Sequence, residues 1–202
     1  MQARNGTLTR LLEMVVAIAA LVTSVTSIWL SMRQGDDMAR LVQAQSWPYL
    51  EYLSSNTSDN GLPVIDIAVR NAGVGPAKVE SFAILYEGKP VKGWAALIKA
   101  CCIPDGVATD QPVDLPALTD NKMISSKIIQ RVLRASDSAP LLHLPKTDIN
   151  TALWKKLDAA RFKIQLRACY CSVFDECWTS DLRSTQQRVV DRCPADPVPY
   201  IE

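Results

Sequence analysis

From Met14 to Met32 the chain reads MVVAIAALVTSVTSIWLSM, without one charged residue; beyond it, short apolar–polar alternations begin and charges appear throughout. A helix rises about 1.5 Å per residue, so this run covers roughly 28 Å, close to the hydrocarbon thickness of a bilayer. The pattern predicts a transmembrane helix over 14–32, preceded by an N-terminus over 1–13 that the cysteine placement, below, assigns to the cytoplasm. A polar stalk follows over 33–46, RQGDDMARLVQAQS, with Met38, Leu41 and Val42 at helical spacing. Trp47-Pro48 is expected to end it, since proline disfavours a helical residue before it.

Residues 47–184 carry the pattern of a folded domain. Tyr49 to Leu53 reads as a first strand. From Val64 to Arg70, Ile65, Ile67 and Val69 alternate with Asp66, Ala68 and Arg70, the period of a strand with one face on a core. Val79 to Tyr86 is another strand, with Phe82, Ile84 and Tyr86 on one side. Gly93 to Cys102 is predicted as a short helix presenting Trp94, Leu97 and Ile98. Residues 103–121 read as a Pro- and Asp-rich loop, and Lys122–Leu133 and Leu141–Leu144 as strands. Thr147 or Asp148 is expected to cap a helix running to Ala160, with Ile149, Leu153 and Leu157 buried. Phe162 to Val173 is predicted as a strand with Phe162, Ile164, Leu166, Ala168 and Tyr170 inward. Residues 185–202 read as an irregular tail.

Between the second and third strands lies Asn71-Ala72-Gly73-Val74-Gly75-Pro76-Ala77. It lacks the lysine of a phosphate-binding loop and the third glycine of a dinucleotide fingerprint. Its glycines are expected to supply positive φ, and Pro76 to fix the chain without donating a ladder bond. An N-terminal apolar helix, a stalk and a strand ending in this Asn-x-Gly-x-Gly-Pro-Ala turn, with the later Tyr170-Cys171-Ser172-Val173-Phe174-Asp175-Glu176-Cys177-Trp178, resemble uncharacterised bacterial single-pass inner-membrane proteins. The resemblance implies a periplasmic β-sandwich and brings no catalytic residues. The expected fold class is therefore mainly β, a transmembrane helix and stalk followed by a β-sandwich-like domain with one or two short helices.

Roughly 155 residues beyond the stalk suit one domain with its own core. Lys+Arg 22 against Asp+Glu 21 leave a net charge of +1, without the basic excess that nucleic-acid binding requires. All six cysteines, Cys101, Cys102, Cys169, Cys171, Cys177 and Cys193, follow the apolar run, as expected of disulfides in an exported domain. Zinc is the competing reading for a reducing compartment. The spacings do not match a zinc knuckle and His143 is the single histidine, so no metal or other cofactor is expected. Arg4 and Arg10 before the helix balance Arg33 and Arg40 after it, so the cysteines decide the orientation: domain outside, N-terminus inside. A signal peptide cut after Val22-Thr23-Ser24 or Val25-Thr26-Ser27 is the rival. Against cleavage, apolarity continues through Ile28, Trp29 and Leu30.

Several residues are candidates for function. Glu13, Ala17, Ala20, Ser24, Ser27 and Ser31 recur at alternating spacings of four and three, a seven-residue repeat along one side of the helix. Small residues let helix backbones approach in lipid, so Ala17, Ala20, Ser24, Ser27 and Ser31 form a candidate packing face for a membrane-protein partner or a second copy. Cys101 and Cys102 either form a strained ring, open to redox use, or join distant cysteines; the second is the expectation. Cys171 and Cys177 straddle a short turn and are expected to bridge. His143 stands without a recognised nucleophile and is read as a strand or loop residue; Asp175 and Glu176 are read as turn. The function expected is a non-enzymatic, membrane-anchored periplasmic interaction module whose first partner is the lipid bilayer. The alternatives are a thiol-disulfide sensor using Cys101-Cys102, a domain secreted after signal cleavage, and a zinc-dependent protein.

Overall fold

A computed structural model describes residues 3–107 and 112–195, with side chains from residue 10 onward, and it divides the chain into two compact units, 1–45 and 46–202. The first is a single helix, α1 (Ala3–Gln45, 43 residues), about 64 Å long at 1.5 Å per residue. The expected helix and stalk are one uninterrupted rod. Gly35-Asp36-Asp37 lowers helix propensity, but no proline stands before Pro48, and the helix stops at Gln45, just ahead of Trp47-Pro48. The hydroxyls of Thr23, Ser24 and Thr26 donate to carbonyls one turn back, which satisfies them inside an apolar segment. The helix is long and apolar enough to cross a membrane, and none of its most apolar window is buried.

The second unit contains β1 (Leu50–Thr57), β2 (Pro63–Asn71), β3 (Ala77–Tyr86), β4 (Lys89–Val91), α2 (Trp94–Cys101), α3 (Leu115–Leu118), β5 (Ile124–Ser125), β6 (Val132–Leu133), β7 (Ser138–Pro145), α4 (Thr151–Ala160), β8 (Ile164–Cys171), β9 (Cys177–Ser180) and β10 (Arg188–Val190). They form two antiparallel sheets, β1-β2-β7-β5 and β10-β9-β8-β3-β4, with β6 on the first residues of β3. The Asn71–Ala77 link carries the chain from one sheet into the other. Ile65, Ile67 and Val69 of the first sheet share one core with Phe82, Ile84, Leu166 and Tyr170 of the second, and α2 and α4 add Trp94, Leu97, Leu153 and Leu157. Two bulges adjust the alternation. Glu80 is the extra residue between Val79 and Ser81 and lets both Val79 and Phe82 face inward; Leu141 is the extra residue on β7 and is buried beside Leu142.

Four expected placements are corrected. Helix α4 starts at Thr151 because Thr147 and Asn150 close a reciprocal turn: each side-chain oxygen accepts from the other's backbone N–H (3.2 and 2.8 Å). Ile149 therefore lies before the helix and is exposed, and its place on the core is taken by Trp154. Phe162 falls in a short 3₁₀ turn, exposed beneath the Arg161 guanidinium, and β8 begins only at Ile164. The expected loop over 103–121 contains the single-turn helix α3, started by the Asp114 carboxylate accepting from the Ala117 N–H. Finally, the polar tail supplies an edge strand, β10, paired with β9.

Candidate functional site

The Asn71–Gly75 segment is a joint at one end of the second unit, packed on that unit's first residues, Ser46 to Tyr49. Asn71 is fully buried. Its Oδ1 accepts from the N–H groups of Tyr49 (3.2 Å) and Gly73 (3.0 Å). Its Nδ2 donates to the carbonyls of Gly75 (2.8 Å), Leu133 (3.1 Å) and Arg134 (3.2 Å). The N–H groups of Val74 and Gly75 both reach the Trp47 carbonyl at 3.1 Å. The glycines are not there for positive φ, since neither adopts it. A Cβ on Gly73 would collide with the Tyr49 nitrogen and the Trp47 carbonyl, and one on Gly75 with the Ser46 carbonyl. Close backbone approach is what these positions demand. Strand register places the start of β3, strand β6 and the 172–176 hairpin at this same end. There Trp47, Val74, Val132, Val173 and Phe174 are exposed, an apolar group that the charge and spacing pattern did not single out.

On α1, Ala17, Ala20, Ser24, Ser27 and Ser31 are all exposed along one unbroken helix, and the repeat continues in phase to the exposed Met38 and Leu41. Ser24 spends its hydroxyl on the Ala20 carbonyl (2.7 Å).

Every cysteine is bridged. The pairs are Cys101–Cys102, Cys169–Cys193 and Cys171–Cys177. The first corrects the expectation of distant partners. Cys101 ends α2 and Cys102 follows it, whereas the other four cysteines gather at β8, β9 and the tail, leaving these two only each other. The 171–177 bridge is as expected, between residues directly opposite in the β8–β9 register. Alternation on β8 turns Leu166 and Tyr170 to the core and Cys169 and Cys171 to the outer face. The 169–193 bridge then straps the tail across that face. The two bridges touch: Cys171 Sγ lies 3.8 Å from Cys193 Sγ. A groove of about 700 Å³ opens beside them, lined by Glu80, Cys171, Cys177, Asp191, Arg192 and Cys193. The sulfurs of Cys171, Cys177 and Cys193 lie within 4.8 Å of one another, the reach of a metal site. Bridged sulfur is not thiolate, so in this form they are not ligands.

His143 Nδ1 lies 2.5 Å from Asp66 Oδ1, a cross-strand pair on the outer face of the first sheet. Ser55, the residue across from Asp66, donates its hydroxyl to the Thr57 carbonyl (2.6 Å) and not to this pair. Asp175 sits at positive φ in the hairpin and pairs with Lys78. Burial pushes the Tyr170 phenol up to about 12, partly opposed by the Leu50 N–H that donates to its oxygen at 3.3 Å. Asp181 is held below the usual carboxylate range, chiefly by the Ser184 N–H.

Set against known proteins, residues 14–165 match a family model described as a domain of unknown function, DUF8453. The match includes the apolar part of α1, the Asn71–Gly75 joint and the Cys101–Cys102 bridge, and ends before the other four cysteines. No curated protein and no solved structure matches the chain.

Proposed function

We propose that this chain, which belongs to the DUF8453 family, is a single-pass protein of the bacterial inner membrane whose β-sandwich-like domain acts in the periplasm as a non-enzymatic interaction module. One observation carries the reading. Side chains of the kind that the domain buries, among them Val15, Ile18, Leu21, Val25, Ile28 and Leu30, are exposed all along α1. Covering each is worth about 1.5–3 kcal/mol, and lipid is the solvent that covers a whole helix circumference. Three bridges with no free cysteine support an oxidising compartment for the domain. The packing stripe on α1 and the exposed apolar group around Trp47 and Phe174 are the surfaces offered to a partner.

The test is made in membranes. A periplasm-specific reporter fused after Glu202 is expected to be active, with the protein resisting alkaline wash. A mature N-terminus near Val25 or Ile28 would replace the anchor with a secreted domain. Leucines at Ala20, Ser24 and Ser27 should preserve insertion but weaken a cross-linked complex, whereas leucines at Val16 and Ile28 should not. Equal behaviour of the two sets moves the interaction to the soluble domain.

The Cys101–Cys102 bridge favours a second reading, a thiol-disulfide sensor. Cys102 is fully buried and Cys101 half-buried, and Lys156 holds the following segment through the Ile103 carbonyl (2.9 Å) and Asp105 (2.7 Å). Under limiting dithiol, a sensor of this kind would release the thiols of Cys101 and Cys102 before any other.

A further inference from the structure

Cys169, Cys171, Cys177 and Cys193 lie closer together than two independent bridges require. Cys169 and Cys171 are two residues apart on one face of β8, about 7 Å along the strand, and the tail crosses them at Cys193. The 3.8 Å contact joins Cys171 of one bridge to Cys193 of the other, while neighbouring Asp191, Arg192 and Pro194 are exposed. A thiolate at either position is within reach of the other bridge's sulfur.

We propose that these four cysteines form one thiol–disulfide exchange site, in which Cys171 passes from Cys177 to Cys193 and moves the tail's attachment two residues along β8. The substrate is a dithiol entering the groove of about 700 Å³ beside Cys177. One thiolate of the dithiol attacks Cys177 Sγ, forming a mixed disulfide and releasing Cys171 as a thiolate. Cys171 attacks Cys193 Sγ, so the 169–193 bond breaks, a 171–193 bond forms and Cys169 leaves and takes up a proton. The second thiol of the dithiol then attacks its own mixed disulfide and frees Cys177. The dithiol ends oxidised, and the protein holds one bridge in place of two, with thiols at Cys169 and Cys177. Chain entropy hardly separates the two tail attachments. Their separations are 24 and 22 residues, which changes the closure probability by about 1.1-fold.

The exchange needs no reductant once one cysteine is removed, which provides the test. In full-length Cys177→Ser, purified in detergent, acid-quenched and alkylated, the single thiol should divide between Cys171 and Cys169. Label at Cys169 should exceed the wild-type background by about tenfold or more, with a 171–193 bridge in the peptide map. Cys169→Ser reaches the same bridge from the other side, with label appearing at Cys177 instead of remaining on Cys193 alone. A 171–193 bridge in either variant, with Cys101 and Cys102 still unlabelled, carries the proposal. It is overturned if that bridge is absent from both variants, or if Cys101 and Cys102 scramble as well, since exchange would then belong to an unfolded chain.

Discussion

The two sheets of the domain are secured by opposite means. The first, β1-β2-β7-β5, has no cysteine, and its strands are tied to the incoming chain and to β6 by the buried side chain of Asn71. The second ends in short strands, β9 and β10, of four and three residues, and carries two bridges on its outer face. Both sheets have long central strands and a short edge, β5 of two residues in the first; the difference is that the short edge of the second also holds the tail. Long strands facing a shared core can be fixed by one fully hydrogen-bonded polar group, whose partners would otherwise be buried unsatisfied. Short edge strands bury too little to hold a tail, and a covalent tie stabilises them by restricting the unfolded chain.

The largest effect expected is at the joint. Asn71→Ala removes the acceptor of the Tyr49 and Gly73 N–H groups and the side-chain donor to the Gly75, Leu133 and Arg134 carbonyls, of which Arg134 keeps the Asp137 N–H, and should lower stability by about 3–5 kcal/mol in denaturant unfolding. Gly75→Ala should be comparably damaging, because the clash is with backbone. A loss under about 1 kcal/mol for both would break the comparison. Next come the bridges. Cys193→Ser opens a bridge of separation 24 and should cost about 3.5 kcal/mol, against about 2 kcal/mol for the shorter tie lost in Cys177→Ser, separation 6. Reversal of that order would mean that native-state packing, not chain entropy, sets the value of these ties.

Tyr170 joins the two sheets, since its hydroxyl on β8 accepts from Leu50 on β1. Tyr170→Phe should cost about 1–2 kcal/mol near neutral pH by orphaning that N–H. Its phenol is raised from an ordinary value near 10 to about 12 in the fold, so its neutral form is favoured there. The associated stability is fully present below pH 10 and is lost as pH climbs towards 12. Denaturant midpoints taken from pH 8 to 11 should fall more steeply for the wild type than for Tyr170→Phe. The smallest effect expected is at Asp66 and His143, side chains about 40% exposed (39% and 42%). Replacing either should change stability by less than about 1 kcal/mol.

The strands that build the core were legible because alternation is local: Ile65, Ile67 and Val69, and Ile164, Leu166, Ala168 and Tyr170, repeat every second residue whatever lies opposite. The same reasoning placed Ile149 and Phe162 inside, where local turns left both exposed. Cys171–Cys177 could be expected because a hairpin brings the two residues opposite each other. Cys101–Cys102 could not, because ring strain argues against it locally and only the distance to the other four cysteines favours it.

Sequence alone determined the apolar helix, its end near Trp47-Pro48, the inward faces of the main strands and the helix α2, all of which rest on neighbours within a turn or a strand. It also marked Asn71–Ala77 as the turn between two strands, but gave its glycines the wrong reason: positive φ, where the fold demands close backbone approach. Only the tertiary structure decided that β2 and β3 belong to different sheets, that Glu80 and Leu141 bulge, that the tail returns as β10, and that two bridges meet at Cys171 and Cys193. Each of these depends on what lies opposite across a sheet or beneath a backbone, and the periodicity of a single strand carries no record of its partner.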